Sequence, residues 1–178
     1  MVFLVSQKDA EADEPKDEDL ESFGTIALVK QVIKLSDDIL RIMVVGIQRA
    51  ELICLEKEEP FLLGEVEVAE DHSLDMINPL EQKAMGDQLK KLFEFYCIET
   101  NKSGSKALEK IQEIQNIDKL VNDIAINLAL TQEEQQKILD QDNLANRYEF
   151  MCILMSEKLQ LFEYRKELEK KIKSHIDK

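Results

Sequence analysis

Gly24-Thr-Ile-Ala-Leu-Val-Lys-Gln-Val-Ile-Lys-Leu35, then Ser36-Asp37-Asp38, then Ile39-Leu-Arg-Ile-Met-Val-Val-Gly-Ile47: two β-branched runs joined by a short Ser/Asp turn. Branched side chains suit a pleated surface, and a polar turn between two such runs makes a β-hairpin. Gly46 within the second run marks a bulge or a close backbone approach. Ala50 to Leu55 continues that strand direction. A charged turn at residues 56–60 then leads into 61–69, where Glu65 and Glu67 alternate with Val66 and Val68 as in a half-buried strand. Upstream, Met1 to Ser6 is a short apolar run of strand type. The first 70 residues therefore predict four or five antiparallel strands. Residues 9–21 (DAEADEPKDEDLE) interrupt them. They hold too little apolar content to pack, and read as a solvated loop with one helical turn at 17–21.

Past residue 75 the period changes from two to about 3.6. Asn78-Pro79 is a helix start, with Asn as the cap and Pro at the first position. Leu80, Met85, Leu89, Leu92, Phe93 and Tyr96 form its apolar stripe, and residues 101–104 break it. Leu108, Ile111 and Ile114 predict a second helix; Leu120, Val121, Ile124 and Leu128 a third. Thr131 and Glu134 fit a capping box that opens a fourth. A long last helix carries Leu144, Tyr148, Met151, Met155, Leu159 and Phe162 on one face. Residues 164–178 keep only Leu168, Ile172 and Ile176 as apolar positions. That stripe is too narrow for a full core, so the helix is expected to leave the globule.

Charge bounds the partners. The net charge is −14, and residues 1–78 hold 19 acids against 7 bases. Such a field repels phosphate backbones, which disfavours nucleic acid. No apolar stretch approaches the ~20 residues of a membrane helix, and the opening run is too short for a signal peptide. With 44% hydrophobic and 34% charged residues, the chain reads as a soluble cytoplasmic protein with no membrane role. Cys54, Cys97 and Cys152 are odd in number, make no CxxC, and each sits among apolar neighbours, so they read as buried free thiols in a reducing compartment.

No catalytic set assembles. The S-x-x-K match Ser103-Gly-Ser-Lys106 lacks the S-D-N and K-T-G companions of serine–lysine amidases and reads as a loop with an N-cap. There is no P-loop and no G-x-G-x-x-G. His72 and His175 lie in charged surroundings without zinc spacing. The acidic loop has no EF-hand pattern. Met151 and Met155 read as core rather than as a binding groove. No catalytic, cofactor or metal residue is expected.

One block is specific. Phe3-Leu-Val-Ser-Gln-Lys-Asp-Ala10, Asp13-Glu-Pro15, Asp19-Leu20, Gly24-Thr25, Leu35 and Val45-Gly-Ile-Gln-Arg-Ala50 closely resemble the amino-terminal, substrate-recognition domain of Lon, the bacterial ATP-dependent protease. Weaker but collinear likeness follows at Ile117-Asp118-Lys119-Leu120, at Asn146-Arg147-Tyr148 and along Glu167-Leu-Glu-Lys-Lys-Ile172. The resemblance implies an α+β fold: an antiparallel β domain of PUA-like type at residues 1–75, incomplete, then a helical bundle with a long exit helix at 76–178. It further implies binding of unfolded or tagged protein substrates and delivery to a downstream AAA+ module, in protein quality control. The family's opening strand and first helix are expected to be missing ahead of Met1, as are the ATPase and Ser-Lys peptidase domains. ATP and magnesium belong with the ATPase module. The chain itself is therefore expected to be non-catalytic, and to self-associate through its β domain by strand pairing or swapping. The rival expectation is a free-standing adaptor that retains the domain without motor or protease.

Overall fold

A computed structural model describes residues 1–36, 39–102 and 104–176. They form two compact units, Met1–Glu70 and Asp71–Lys178. The first is a four-stranded antiparallel sheet in the order β1-β2-β3-β4, with β1 Val2–Leu4, β2 Phe23–Ser36, β3 Ile39–Lys57 and β4 Leu63–Val68. The second holds five helices: α1 Pro79–Glu99, α2 Lys106–Glu113, α3 Ile117–Asn127, α4 Gln132–Leu139 and α5 Leu144–Ile176. The fold is α+β, with a long C-terminal helix, as the periods implied. The turn expected at Ser36-Asp37-Asp38 lies partly outside the described residues.

Ala50 to Leu55 does continue the second run, so β3 is one strand of 19 residues. Beside Gly46 the β2–β3 register slips between Ile26/Ala27, leaving Ile47 as the extra residue of a bulge. Gly24 has a different role from opening a strand. A Cβ there would collide with the Leu4 carbonyl oxygen and lie 2.7 Å from the Phe3 ring, so β1 can pack onto β2 only over a glycine. At the foot of the hairpin the Arg49 guanidinium sits 4.8 Å from the centroid of the Phe23 ring.

The acidic stretch is tied down more than its composition suggested. Leu20 is buried, Gln7 bridges Leu20, the Lys8 amide donates to Asp19 O at 2.8 Å and the Glu21 amide to Ser6 O at 2.9 Å. One turn of 3-10 helix at Asp17–Asp19 aims the Asp17 carboxylate at the Leu55 amide, 3.0 Å away. A single apolar side chain and a few backbone bonds anchor a loop whose charges remain solvated.

In the second unit Asn78 caps α1 through the Glu81 amide at 2.9 Å, and the Thr131–Glu134 capping box forms with both bonds, 3.2 and 2.9 Å. Met85, Leu89, Phe93 and Tyr96 bury together with Ile111, Leu120, Val121, Ile124, Met151 and Met155 in one core. Leu80 does not join them and is 78% exposed. It lies five residues before Met85, about 140° away around the helix, while Gln82 on the inner side bonds Leu74 O and Ile77 O at 2.9 Å each. Of the thiols, Cys97 is buried; Cys54 and Cys152 are only half-buried, against expectation, Cys152 because it packs on the outside of the helical core. Beyond Phe162 the helix is exposed throughout its described side chains, as its narrow stripe required.

Candidate functional site

The chemistry-bearing residues disperse. Ser103 lies outside the described residues, Ser105 caps α2 by accepting from the Leu108 amide at 3.3 Å, and Lys106 is merely the first residue of that helix. His72 pairs with Asp75 at 3.4 Å on the surface, and a His175 ring nitrogen is 2.9 Å from Lys171 O. Among the described residues no three His, Cys, Asp or Glu side chains converge as metal ligands, and no helix is long and apolar enough to cross a membrane. Burial pushes the Cys97 thiol up, and likewise Cys152. Burial beside Cys152 pushes the Tyr148 phenol up to about 12. None of the three is poised to ionise near neutral pH.

One polar cluster is built with care, and it is architectural. Arg147, 8% exposed at the side chain, places Nη2 3.0 Å from Asp71 and 3.3 Å from Asp118. Burial alone would raise the Asp71 carboxyl. Hydrogen bonds from Ser73, from the Leu144 amide and from Arg147 outweigh it and hold the group below the usual carboxylate value. The cluster fastens the start of α5 to α3 and to the segment ahead of α1.

The feature that asks for a partner is the outer half of the β2–β3 hairpin. β1 pairs with β2 only as far as Val2↔Ala27, and β4 pairs with β3 only from Ala50↔Val68 onward. Among the described residues, 28–36 and 39–48 therefore form a two-stranded ribbon with no strand on either outer edge. Residues opposite one another share a face. One face carries Val29, Val32 and Lys34 against Val44, Ile42 and Leu40; the other carries Leu28, Gln31 and Ile33 against Val45, Met43 and Arg41. Both faces are apolar. Ten large side chains (Val32, Ile33, Leu35, Ile39, Leu40, Ile42, Met43, Val44, Val45 and Ile47) are 36–59% exposed. At ~60–120 Å² of apolar surface per fully buried branched residue, half exposure leaves roughly 300–600 Å² uncovered. Summed over both faces, that is comparable with the largest apolar patch on an ordinary monomer, and such patches are often functional.

The sequence held the signal for this surface. Ile39 to Ile47 contains one charge and no polar alternation, the pattern of a strand covered on both faces. It identified strands correctly, but gave no warning that neither face would be covered.

A family model described as "ATP-dependent protease La (LON) substrate-binding domain" matches residues 1–157. The chain belongs to the Lon substrate-binding domain family. Its relatives include the Lon protease of Lachnoclostridium phytofermentans, 34% identical over 177 residues, which cover 99% of this chain and 22% of that protein. The Lon protease of Clostridioides difficile is 30% identical over 180 residues, 100% of this chain and 23% of its own length. The chain thus spans about a fifth of the length of the curated relatives it matches. Among solved structures, the N-terminal domain of the Mycobacterium avium complex Lon protease superposes with a TM-score of 0.65 at 16% identity, over 87% of this chain and 90% of that one. At that identity the likeness shows a shared Lon N-terminal fold.

Proposed function

We propose that this chain recognises substrates for a Lon-type ATP-dependent protease in cytoplasmic protein quality control, by holding apolar segments that unfolded or tagged proteins expose. The observation that carries the reading is the open ribbon: apolar side chains on both faces, with no strand along either outer edge among the described residues. An extended segment laid against it gains main-chain hydrogen bonds on an edge and side-chain burial on a face, a mode that tolerates many sequences. The charges at described ribbon positions are Lys30, Lys34 and Arg41, so segments flanked by acids suit it better than basic ones. The rest of the first unit is strongly acidic and disfavours nucleic acid. The exposed end of α5 suits a helix that passes the grip on to a downstream AAA+ module. The chain itself does no chemistry and needs no ATP, magnesium or other cofactor.

The test is a photoreactive, permanently unfolded polypeptide cross-linked to the purified chain, with the adducts mapped. Adducts concentrated in 28–36 and 39–48 support the reading. Adducts confined to the helices, or spread evenly over the surface, contradict it.

A further inference from the structure

We infer that the outer edge of β3 pairs with the same edge of a second copy, around a two-fold axis at Met43. The inference rests on the geometry of the ribbon and holds whether or not the ribbon grips substrates. Two strands alone are marginal in water, and three or more with an apolar face are the smallest independent unit. The ribbon lacks a third strand among the described residues, and its open β3 edge is nearly uniformly apolar. A two-fold axis normal to a sheet must set one residue of the strand opposite itself. Met43 is the midpoint of 39–47, so that centre uses the whole stretch. It places Ile42 opposite Val44, Leu40 opposite Gly46, Ile39 opposite Ile47 and Arg41 opposite Val45. No like charges meet. The equivalent pairing along the open β2 edge, centred at Val32, would set Lys30 against Lys34, which costs stability. On this edge the chain after β4 pairs no further along β3 than Arg49, whose carbonyl accepts from the Ala69 amide at 3.1 Å, two residues beyond the stretch 39–47 that the arrangement uses.

Edge pairing joins the copies through main-chain hydrogen bonds and cross-strand side-chain pairs and leaves both faces of the extended sheet uncovered, so the area buried stays below the ~1,200 Å² where stable interfaces begin. Association is therefore weak and concentration-dependent. The net charge of −14 opposes it, but repulsion between exposed charges is screened within ~8 Å at physiological salt while the paired strands lie in contact.

The experiment is sedimentation of the full chain across the micromolar range, alone and as two variants, Met43→Asp and Met43→Lys. The expected result is a discrete dimer for the native chain and a monomer for each variant, since each sets like charges face to face at the axis. Mixing the two variants restores the dimer, which a merely misfolded chain would not do. Three results overturn the inference: a native chain monomeric throughout, a dimer that persists in both variants, or a polydisperse ladder instead of a closed pair. A monomer that nonetheless cross-links an unfolded polypeptide through the ribbon makes a client the occupant, and leaves the functional proposal standing.

Discussion

The core of the helical unit and the outer half of the hairpin are built from the same kinds of apolar side chain, and they meet that condition in opposite ways. Leu89, Val121, Ile124, Met151 and Met155 are fully enclosed by helices that the same chain supplies. Val32, Leu40, Ile42 and Met43, no less hydrophobic, face solvent. The difference teaches what each kind of element needs for cover. A helix fulfils its own hydrogen bonds and needs only a cover for one stripe, whereas a strand needs neighbours on two edges and two faces. The bundle obtains its cover locally. Among the described residues the ribbon has none.

The contrast breaks most directly by truncation. Phe93→Ala should cost the helical unit about 3–5 kcal/mol through lost burial and a cavity, seen as a lower urea midpoint by circular dichroism. Ile42→Ser should change stability by no more than about 0.5–1 kcal/mol in dilute solution, because half of that side chain is already wet. Comparable losses at both positions would refute the distinction drawn between the two regions.

Arg147 offers the next largest effect. Arg147→Met removes the cation but leaves Asp71 and Asp118 facing each other, at about 2–3 kcal/mol. The acid limb carries a second signature. The folded Asp71 carboxyl lies below its unfolded value, so its contribution is present above the ordinary carboxylate pKa and fades as pH falls through the folded one. Stability of the native chain should decline below about pH 4, and the decline should be shallower in Arg147→Met. Identical acid limbs would remove Asp71 from the account. Smaller still, Thr131→Ala should cost about 1 kcal/mol by opening the α4 capping box. Thr131→Ser at the same position should cost little, and an equal loss in both would assign the effect to packing.

Much of this was legible in the sequence because local physics dictates it. Asn78-Pro79 and Thr131-x-x-Glu134 announce helix starts through backbone amides that need acceptors, and the tapering stripe after Phe162 announces an exposed arm. What remained hidden depends on contacts distant in sequence. Gly24 is needed for the approach of Leu4 and Phe3, Leu20 anchors an otherwise solvated loop, and Arg147 finds Asp71 seventy-six residues away. Leu80 fits the stripe by spacing yet faces solvent, because spacing alone cannot phase a helix's first turn. The ribbon is the instructive case. Its residues identify strands that want cover on both faces, yet no pattern within a strand states whether the cover exists.

Amide hydrogen exchange of the full chain tests that claim most directly, at high dilution, with and without a permanently unfolded polypeptide. Residues 39–48 should exchange orders of magnitude faster than α1 and α3 when alone, and gain protection when the polypeptide is added, with the helical core unchanged. Slow exchange at 39–48 in the isolated chain, or protection gained only in the helices, would contradict it.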